Sequence, residues 1–181
     1  QLDPSFALHL GGGLGARAEH PADAARLVAD GAVGEGEEDF LGKAAPVHEV
    51  VFQGSELRVS GQGLDAIPVP ISTPGWDNAP YISAAHYISK DPDSGIPNIG
   101  TYRAMIKARD RVGCNPSLEL GQGIYVHWEK YRACKKKMPA ALCIGGVPAI
   151  SYVAAQKLNY DVDEFAVAGG LVKAPIRVVE A

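Results

Sequence analysis

Hydrophobic and polar residues alternate in short runs along much of the chain after residue 46, a pattern typical of β-strands. The alternating stretch "YISAAHYISK" (81–90) predicts a strand, and so do "VHEVVFQG" (47–54), which ends in a glycine turn, and "NIGTYRAMIKA" (98–108). The turn residues "DPDSG" (91–95) separate 81–90 from 98–108, so we expect a hairpin there. "LDAIPVPIS" (64–72) is predicted as an extended edge segment, since proline cannot donate a hydrogen bond to a neighbouring strand.

A helical period appears later in the chain. In "IYVHWEKYRACKKK" (124–137), Ile124, Trp128 and Tyr131 share one helix face and are predicted to pack the helix on the sheet. The remaining segments predict a strand at 139–146, a helix at 147–158, a short helix at 161–170 and a last strand at 174–181. This order predicts an α+β domain built on an antiparallel, barrel-like sheet with packed helices.

The first 45 residues differ from the rest of the chain in their sequence pattern. They contain the glycine-rich "LGGGLGAR" (10–17), a short helix pattern "PADAARLVADG" (21–31) and the acidic "GEGEED" (34–39). A phosphate loop is rejected because no apolar strand is recognised before Gly11 and no GK[ST] follows. We interpret residues 1–45 as a connector or the remnant of an N-terminal domain, and 46–181 as the main domain.

The composition of the chain excludes several classes of protein. The 181 residues suit one domain, and 46% hydrophobic residues suffice for a core. A net charge of −4 gives no basic footprint for nucleic acid. Three cysteines without CxxC spacing (Cys114, Cys134, Cys143) predict reduced thiols in a cytoplasmic protein. No apolar run has membrane-spanning length, so no membrane partner is expected.

Most candidate chemistry in the residues has a structural explanation. Lysines 135–137 are interpreted as a solvated helix face. His48 and Glu49 alternate to opposite faces of a strand, so they cannot share a metal. His86 and His127 are interpreted as structural histidines within a strand and a helix. Taken alone, these patterns indicate only a soluble α+β domain.

Five segments in order carry a more specific signal: "APVHEVV", "DPDSGIPNIGTYRAM", "GQGIYVHWEKY", "MPAALCIGGVPA" and "DVDEFAVAGGLVKAPIRVV". Together they resemble the central domain of the UbiD family of reversible decarboxylases, which use prenylated flavin mononucleotide (prenylated FMN). The resemblance implies a split β-barrel like that of flavin reductases. It also implies non-oxidative (de)carboxylation of an aromatic or α,β-unsaturated acid, with CO₂ as the other reactant or product.

The resemblance also implies roles for individual residues. Asn98 and Glu164 correspond to ligands of a divalent metal, Mn²⁺ or Mg²⁺, that holds the cofactor phosphate, with K⁺ as a further candidate cation. Arg103 corresponds to the catalytic arginine that binds the substrate carboxylate and also contacts the flavin. The other implied flavin contacts are Thr101, Tyr102, Gln122, Ala154, Ala155 and Gln156.

The chain departs from the family pattern at three places. Gly123 replaces a metal-ligating histidine, Ala154 and Ala155 replace two serines, and Arg177 replaces the first catalytic glutamate. Family members are also more than twice as long, so we expect the domain to be truncated at its C-terminus. Two alternatives therefore stay open: a non-catalytic subunit or fragment of a carboxylase complex, and a flavin-dependent reductase on the same barrel.

The resemblance finally implies partners. A flavin prenyltransferase would supply the cofactor, and the protein is expected to be a homo-oligomer or part of a multi-subunit complex.

Overall fold

The computed structural model describes residues 51–178, together with the backbone of residues 7–11. This part of the chain has an α+β architecture of two mainly antiparallel sheets and three α-helices. The strands are β1 (Ala7–Gly11), β2 (Tyr81–Ile82), β3 (Ala85–Lys90), β4 (Pro97–Thr101), β5 (Ala104–Ala108), β6 (Arg111–Cys114) and β7 (Ala140–Gly145). The helices are α1 (Gly123–Ala133), α2 (Pro148–Val153) and α3 (Glu164–Val172).

The larger sheet has the strand order β1-β7-β3-β4, and the smaller one β2-β5-β6. Each pairing among these strands is antiparallel except that of β1 with β7. The predicted hairpin is present as β3 and β4, with Lys90 opposite Pro97 and Ser89 opposite Asn98. The Asp91 carboxylate shapes the connecting turn by accepting a 2.8 Å hydrogen bond from the Asp93 N–H.

Strand β3 lies between two hydrophobic clusters. On one face, Tyr87 belongs to the cluster beneath α1, whose buried members are Leu64, Ile82, Ala85, Tyr87, Ala104, Ile124, Met138 and Leu142. On the other face, Ile88 packs against a cluster that involves α2 and α3 and contains Ile99, Ile150, Val153, Ala154 and Ala168. Because successive side chains of a strand point to opposite faces, β3 contributes residues to both hydrophobic clusters.

Helix α1 confirms the predicted packing but is shorter than expected. Ile124 is buried, and Trp128 and Tyr131 are partly buried against the same cluster. The helix ends at Ala133 rather than at 137, because Lys135 adopts a left-handed conformation with φ of 56°. The N–H of Lys136 then donates to the Tyr131 carbonyl at 2.9 Å, an arrangement that terminates helices.

Three predicted extended segments form no strand in their described parts. Within residues 64–72, Leu64–Ala66 form a 3-10 helix and no strand follows. Pro68 and Pro70 have no N–H to donate to a neighbouring strand. Residues 51–53 form no strand and a 3-10 helix begins at Gly54, while 47–50 lie outside the described residues. Residues 174–178 form no strand, and 179–181 are not described.

Two predicted strands are each divided between the sheets. Residues 81–90 give β2 in the small sheet and β3 in the large one. Residues 98–108 likewise give β4 and β5, joined by Tyr102 and Arg103. Alternation continues across both junctions, so periodicity alone does not reveal them. Strand β6 was not predicted, and α2 ends at Val153 instead of 158.

The N-terminal segment contributes to the sheet. Strand β1 runs into Gly11 and pairs in parallel with β7, with Ala7 opposite Ala141. The expectation that no strand precedes Gly11 is therefore wrong, although the sequence still lacks the GK[ST] of a phosphate loop. Residues 12–50, which include the helix predicted at 21–31, lie outside the described part of the chain.

None of the helices found in the described ranges combines the length and the hydropathy needed to cross a bilayer.

Truncating Leu142 should destabilise the fold strongly. Its side chain is fully buried on β7, which pairs with both β1 and β3. For Leu142→Ala we expect the free energy of unfolding, measured by urea titration, to fall by about 2–5 kcal/mol. Leu118 is 63% exposed. Leu118→Ala is the matched control, and an equal loss in both variants would contradict this account of the core.

Candidate functional site

A cleft of about 650 Å³ opens beside β4. Three segments form its walls: β4 itself, the loop that leads into α1, and the chain between α2 and α3. The residues that line it include Asn98, Thr101, Tyr102, Gln122, Gly123, His127, Ala154, Ala155, Gln156, Lys157, Tyr160 and Glu164.

The cleft lies along the outer edge of β4, which is the terminal strand of the larger sheet. An edge strand has N–H groups that no neighbouring strand accepts. Here the Ile99 N–H donates to the Glu164 carboxylate, and the Thr101 N–H donates to the Ala154 carbonyl at 3.2 Å. The two donors are two residues apart, as expected for one edge of a strand. The α2–α3 region therefore closes this edge.

Asn98 and Glu164 meet in this cleft although they are 66 residues apart in sequence. The Asn98 amide nitrogen donates to both carboxylate oxygens of Glu164 at 2.9 Å. The other polar atom of the carboxamide, Asn98 Oδ1, is buried and has no hydrogen-bond partner within the described residues. An unsatisfied buried oxygen is costly, so this atom is available to a ligand that accepts a lone pair.

Local sequence fixes the position of Glu164 at the start of α3. The side chain of Asp163 caps the helix by accepting hydrogen bonds from the Phe165 and Ala166 N–H groups at 2.8 and 3.2 Å. Glu164 is then directed inward and is only 6% exposed. Burial raises the pKa of the Glu164 carboxyl, while the hydrogen bonds from Ile99 and Asn98 oppose that rise.

Gly123 at the start of α1 lies against the Asn98 carboxamide. A Cβ at this position would lie 2.5 Å from both Cγ and Oδ1 of Asn98. A side chain at 123 would thus displace Asn98 from its contact with Glu164. The close approach of α1 to β4 at this point depends on glycine.

The loop before α1 is attached to the segment after α2. Lys157 Nζ donates to the Leu120 carbonyl at 3.1 Å and also to the Gly121 carbonyl. The Tyr160 hydroxyl donates to the Gly121 carbonyl at 2.7 Å, and the Lys157 ammonium lies 5.1 Å from the Tyr160 ring centroid. On the loop itself, the Gln122 side-chain oxygen accepts a hydrogen bond from the Ser117 N–H. These contacts join two of the segments that form the walls of the cleft.

Histidine 86 connects β4 to α2. Its Nδ1 lies 3.0 Å from Thr101 Oγ1 and its Nε2 lies 2.9 Å from Ser151 Oγ. The ring is 4% exposed, and burial lowers the pKa of His86. Both ring nitrogens are thus used by hydroxyl groups, which agrees with the structural role predicted for this histidine.

Tyr102 faces the α1 side of β4. Its ring lies 5.8 Å from that of Tyr87, and a Cβ on Gly100 would lie 2.2 Å from its hydroxyl oxygen. Burial raises the pKa of Tyr102 to about 12, so its hydroxyl stays protonated at neutral pH.

Arg103 is not among the residues that line the cleft. Its side chain is exposed, and its guanidinium lies 5.4 Å from the centroid of the Tyr81 ring. Arg103 and Tyr102 form the junction between β4 and β5, where the chain passes from one sheet to the other. Its predicted catalytic role stays a prediction.

The cleft gathers eight of the nine predicted site residues, all except Arg103. Arg177, which replaces an expected catalytic acid, is exposed. Sequence reasoning did not identify Lys157 and Tyr160, although they closely follow the predicted 154–156 segment. It also placed His127 outside the site, because a lone histidine on a helix gives no sign of the strand that it faces.

The donors present suit a hard divalent cation. Asn98 Oδ1 and the Glu164 carboxylate are oxygen ligands of the kind that Mg²⁺ and Mn²⁺ prefer, and Oδ1 lacks another partner in the described ranges. No group of three or more His, Cys, Asp or Glu side chains suited to a metal occurs within the described residues. A cation here would therefore also need neutral protein donors or oxygens of its ligand.

Known proteins share this sequence pattern. A sequence model of the UbiD family, described as the 3-octaprenyl-4-hydroxybenzoate carboxy-lyase Rift-related domain, matches residues 41–181. An uncharacterized protein of Aquifex aeolicus is 35% identical over 137 residues, which is 74% of this chain and 28% of the relative. A phenolic acid decarboxylase of Bacillus subtilis is 29% identical over 143 residues, 77% of this chain and 28% of that protein. The chain thus spans under a third of the length of these relatives.

Solved structures show the same similarity. The UbiD-class enzyme HmfF from Pelotomaculum thermopropionicum, in complex with FMN, has a TM-score of 0.60 and 30% identity over 65% of this chain and 26% of that one. An evolved dimeric form of HmfF, in complex with prFMN, also has a TM-score of 0.60 at 30% identity, over 65% of this chain and 27% of its own. Vanillic acid decarboxylase (ShVdcCD) of Sedimentibacter hydroxybenzoicus, in closed form, has a TM-score of 0.53 and 32% identity over 57% of this chain and 22% of that one.

Adding a methyl group at Gly123 should break the contact between Asn98 and Glu164. For Gly123→Ala we expect the free energy of unfolding to fall by about 1–3 kcal/mol, because a buried carboxylate loses hydrogen bonds. Gly170→Ala on α3 is the control, since a Cβ there meets no atom within 4 Å. Urea unfolding of both variants is the measurement; a Gly123→Ala protein as stable as the Gly170→Ala protein would refute this packing.

The pKa of Glu164 is raised above its ordinary value of 4.5, so the folded state binds this proton more tightly than the unfolded state. Its contribution to stability is therefore complete below that value and is lost as the pH rises through the folded pKa. We expect Glu164→Gln to remove this part of the pH dependence. The measurement is the free energy of unfolding of both proteins between about pH 4 and 8; parallel curves would show that the carboxyl does not titrate in this way.

Proposed function

Because the chain belongs to the UbiD family, we propose that it forms the cofactor-binding part of a carboxy-lyase that uses prenylated FMN. The proposed reaction is the reversible, non-oxidative decarboxylation of an aromatic or α,β-unsaturated acid. The bond between the carboxylate carbon and the substrate carbon breaks, CO₂ leaves, and a proton replaces it. We further propose that the two sheets belong to a split β-barrel of the flavin-reductase kind.

The contact between Asn98 and Glu164 carries this proposal. The resemblance implies that these two residues belong to one metal site, although they lie 66 residues apart in sequence. The fold brings them within 2.9 Å in a cleft of about 650 Å³. A chance match of sequence segments would not predict that these two side chains are in contact.

Electrostatics supports a cation in this cleft. A flavin phosphate beside the ionised Glu164 would be repelled unless a positive charge lay between them. Asn98 Oδ1 and the Glu164 carboxylate would hold Mn²⁺ or Mg²⁺, and the cation would supply the positive charge that offsets the phosphate. The site is consistent with K⁺ as a further cation, since carboxamide and carbonyl oxygens also suit it.

The remaining lining residues suit the flavin itself. Thr101 ends β4 beside the cleft and Tyr102 follows it, while Ala154, Ala155 and Gln156 follow α2 on the other side. Ala155 is exposed and offers a small apolar surface, whereas Ala154 is buried and its carbonyl accepts the Thr101 N–H. Gln122 is the residue at the N-terminal boundary of α1, held there by Ser117. When bound, prenylated FMN would supply the electron sink for the reaction.

Arg103 is proposed to bind the substrate carboxylate. Its guanidinium is exposed and rests above Tyr81. A planar guanidinium can pair with a carboxylate through two parallel hydrogen bonds, which both binds and orients the substrate.

Other features are proposed on the same basis. HmfF is described with FMN and prFMN, and ShVdcCD as a vanillic acid decarboxylase, which supports a flavin cofactor and an aromatic acid substrate. A flavin prenyltransferase would supply the cofactor. We also propose that the protein is cytoplasmic and that it is a homo-oligomer or part of a multi-subunit complex.

A non-catalytic subunit is the second candidate. Two observations favour it: Arg177 stands where an acidic residue is expected, and Arg103 lies outside the cleft. The two candidates differ in turnover, because a non-catalytic subunit could bind the flavin without releasing CO₂.

Substitutions at Arg103 and Asn98 should have separable effects. In the full-length protein co-produced with a flavin prenyltransferase, we expect Arg103→Ala to retain flavin but to release CO₂ from a phenolic acid roughly a thousandfold more slowly. Asn98→Ala should lose metal and flavin together. Flavin absorbance, metal content and CO₂ release are the measurements.

Arg109, which directly follows β5, provides the control for these variants. Its side chain pairs with Asp65 away from the cleft, so Arg109→Ala should change none of the three readouts. Normal turnover in Arg103→Ala would exclude the proposed role of that arginine. A wild-type protein that binds flavin without any turnover would favour the non-catalytic subunit.

A further inference from the structure

We propose that His127, held by Ser89, supplies a third protein donor to the cation site of Asn98 and Glu164. This inference rests on the proposed cation-binding function and names a residue that the sequence pattern assigned to a structural role. It follows from the register of two strands, the spacing of two residues on α1 and one buried hydrogen bond.

The register places Ser89 next to Asn98. They are directly opposite each other on the antiparallel strands β3 and β4. Side chains of such a pair point to the same face of the sheet, with their Cβ atoms about 5 Å apart. Ser89 is therefore the cross-strand neighbour of Asn98, whose Oδ1 has no partner among residues 51–178.

Helix α1 covers both members of this pair. Gly123 lies against Asn98, and His127, four residues further on, lies against Ser89. Residues four apart share one helix face, so the spacing of the helix matches the spacing across the strands. Because Gly123 has no side chain, α1 approaches closely here and His127 comes down onto the same face of the sheet.

His127 has the chemistry of a metal ligand. Its Nδ1 lies 2.9 Å from Ser89 Oγ. In the tautomer whose Nδ1–H donates to this oxygen, Nε2 keeps the lone pair that a metal needs. The ring is 4% exposed and lines the same cleft as Asn98 and Glu164. Burial lowers the pKa of His127 and so favours the neutral form that binds metals. With two oxygen donors, one imidazole nitrogen gives a donor set suited to Mn²⁺.

His86 provides a matched control. It is a buried histidine on β3, 4% exposed like His127, but it belongs to the opposite face of the strand and both of its nitrogens meet hydroxyl groups. A general effect of losing a buried imidazole would appear at both positions. An effect on the cation should appear only at His127.

The test measures Mn²⁺ binding to the full-length, flavin-free protein by electron paramagnetic resonance. We expect His127→Gln to weaken the affinity by about 10- to 100-fold, and Ser89→Ala by about tenfold, while His86→Gln binds as the wild type does. Bound Mn²⁺ should also show coupling to a nitrogen nucleus by electron spin echo spectroscopy. That signal should vanish in His127→Gln and persist in His86→Gln.

Three results would count against the inference. If Glu164→Gln loses Mn²⁺ but His127→Gln retains both affinity and nitrogen coupling, the cation site stands without His127. If the wild type does not bind Mn²⁺, the proposed cation site fails together with this inference. Circular dichroism checks folding; should His127→Gln not fold, Ser89→Ala decides, since wild-type affinity in that variant would also count against the inference.

Discussion

The open edge of β4 sets the main constraint on this structure. Its outward N–H groups need acceptors, and the protein supplies a carboxylate to Ile99 and a carbonyl to Thr101. Using Glu164 as one of these acceptors brings a carboxyl group into a buried position beside the carboxamide of Asn98. Burial raises the pKa of this carboxyl, so the proposed cation would have to compete with a proton for it. The same side chain thus closes a sheet edge and forms a candidate cation site.

The two faces of the β3–β4 hairpin carry different groups of site residues. On the α1 face lie Ser89 and Asn98, with His127 above them. On the α2 face lies Thr101, a proposed flavin contact, and the structural residue His86 joins it to Ser151. A single hairpin therefore positions both the proposed metal ligands and the proposed flavin contacts.

Much of this protein follows from sequence. The period of two and the turn at 91–95 identified the β3–β4 hairpin, and helical spacing identified the buried face of α1, because both patterns depend on neighbours close in sequence. The order of five segments indicated the family, and with it Asn98 and Glu164. These conclusions needed no knowledge of long-range contacts.

The tertiary structure decided what depends on distant partners. Only the fold shows that 98–108 crosses between two sheets, since alternation is the same on both sides of the junction. Only strand register places Ser89 beside Asn98, and only the packing of α1 brings His127 to that pair. A histidine in a helix has the same local pattern whether it faces a core or a ligand, and the strand opposite it makes the difference.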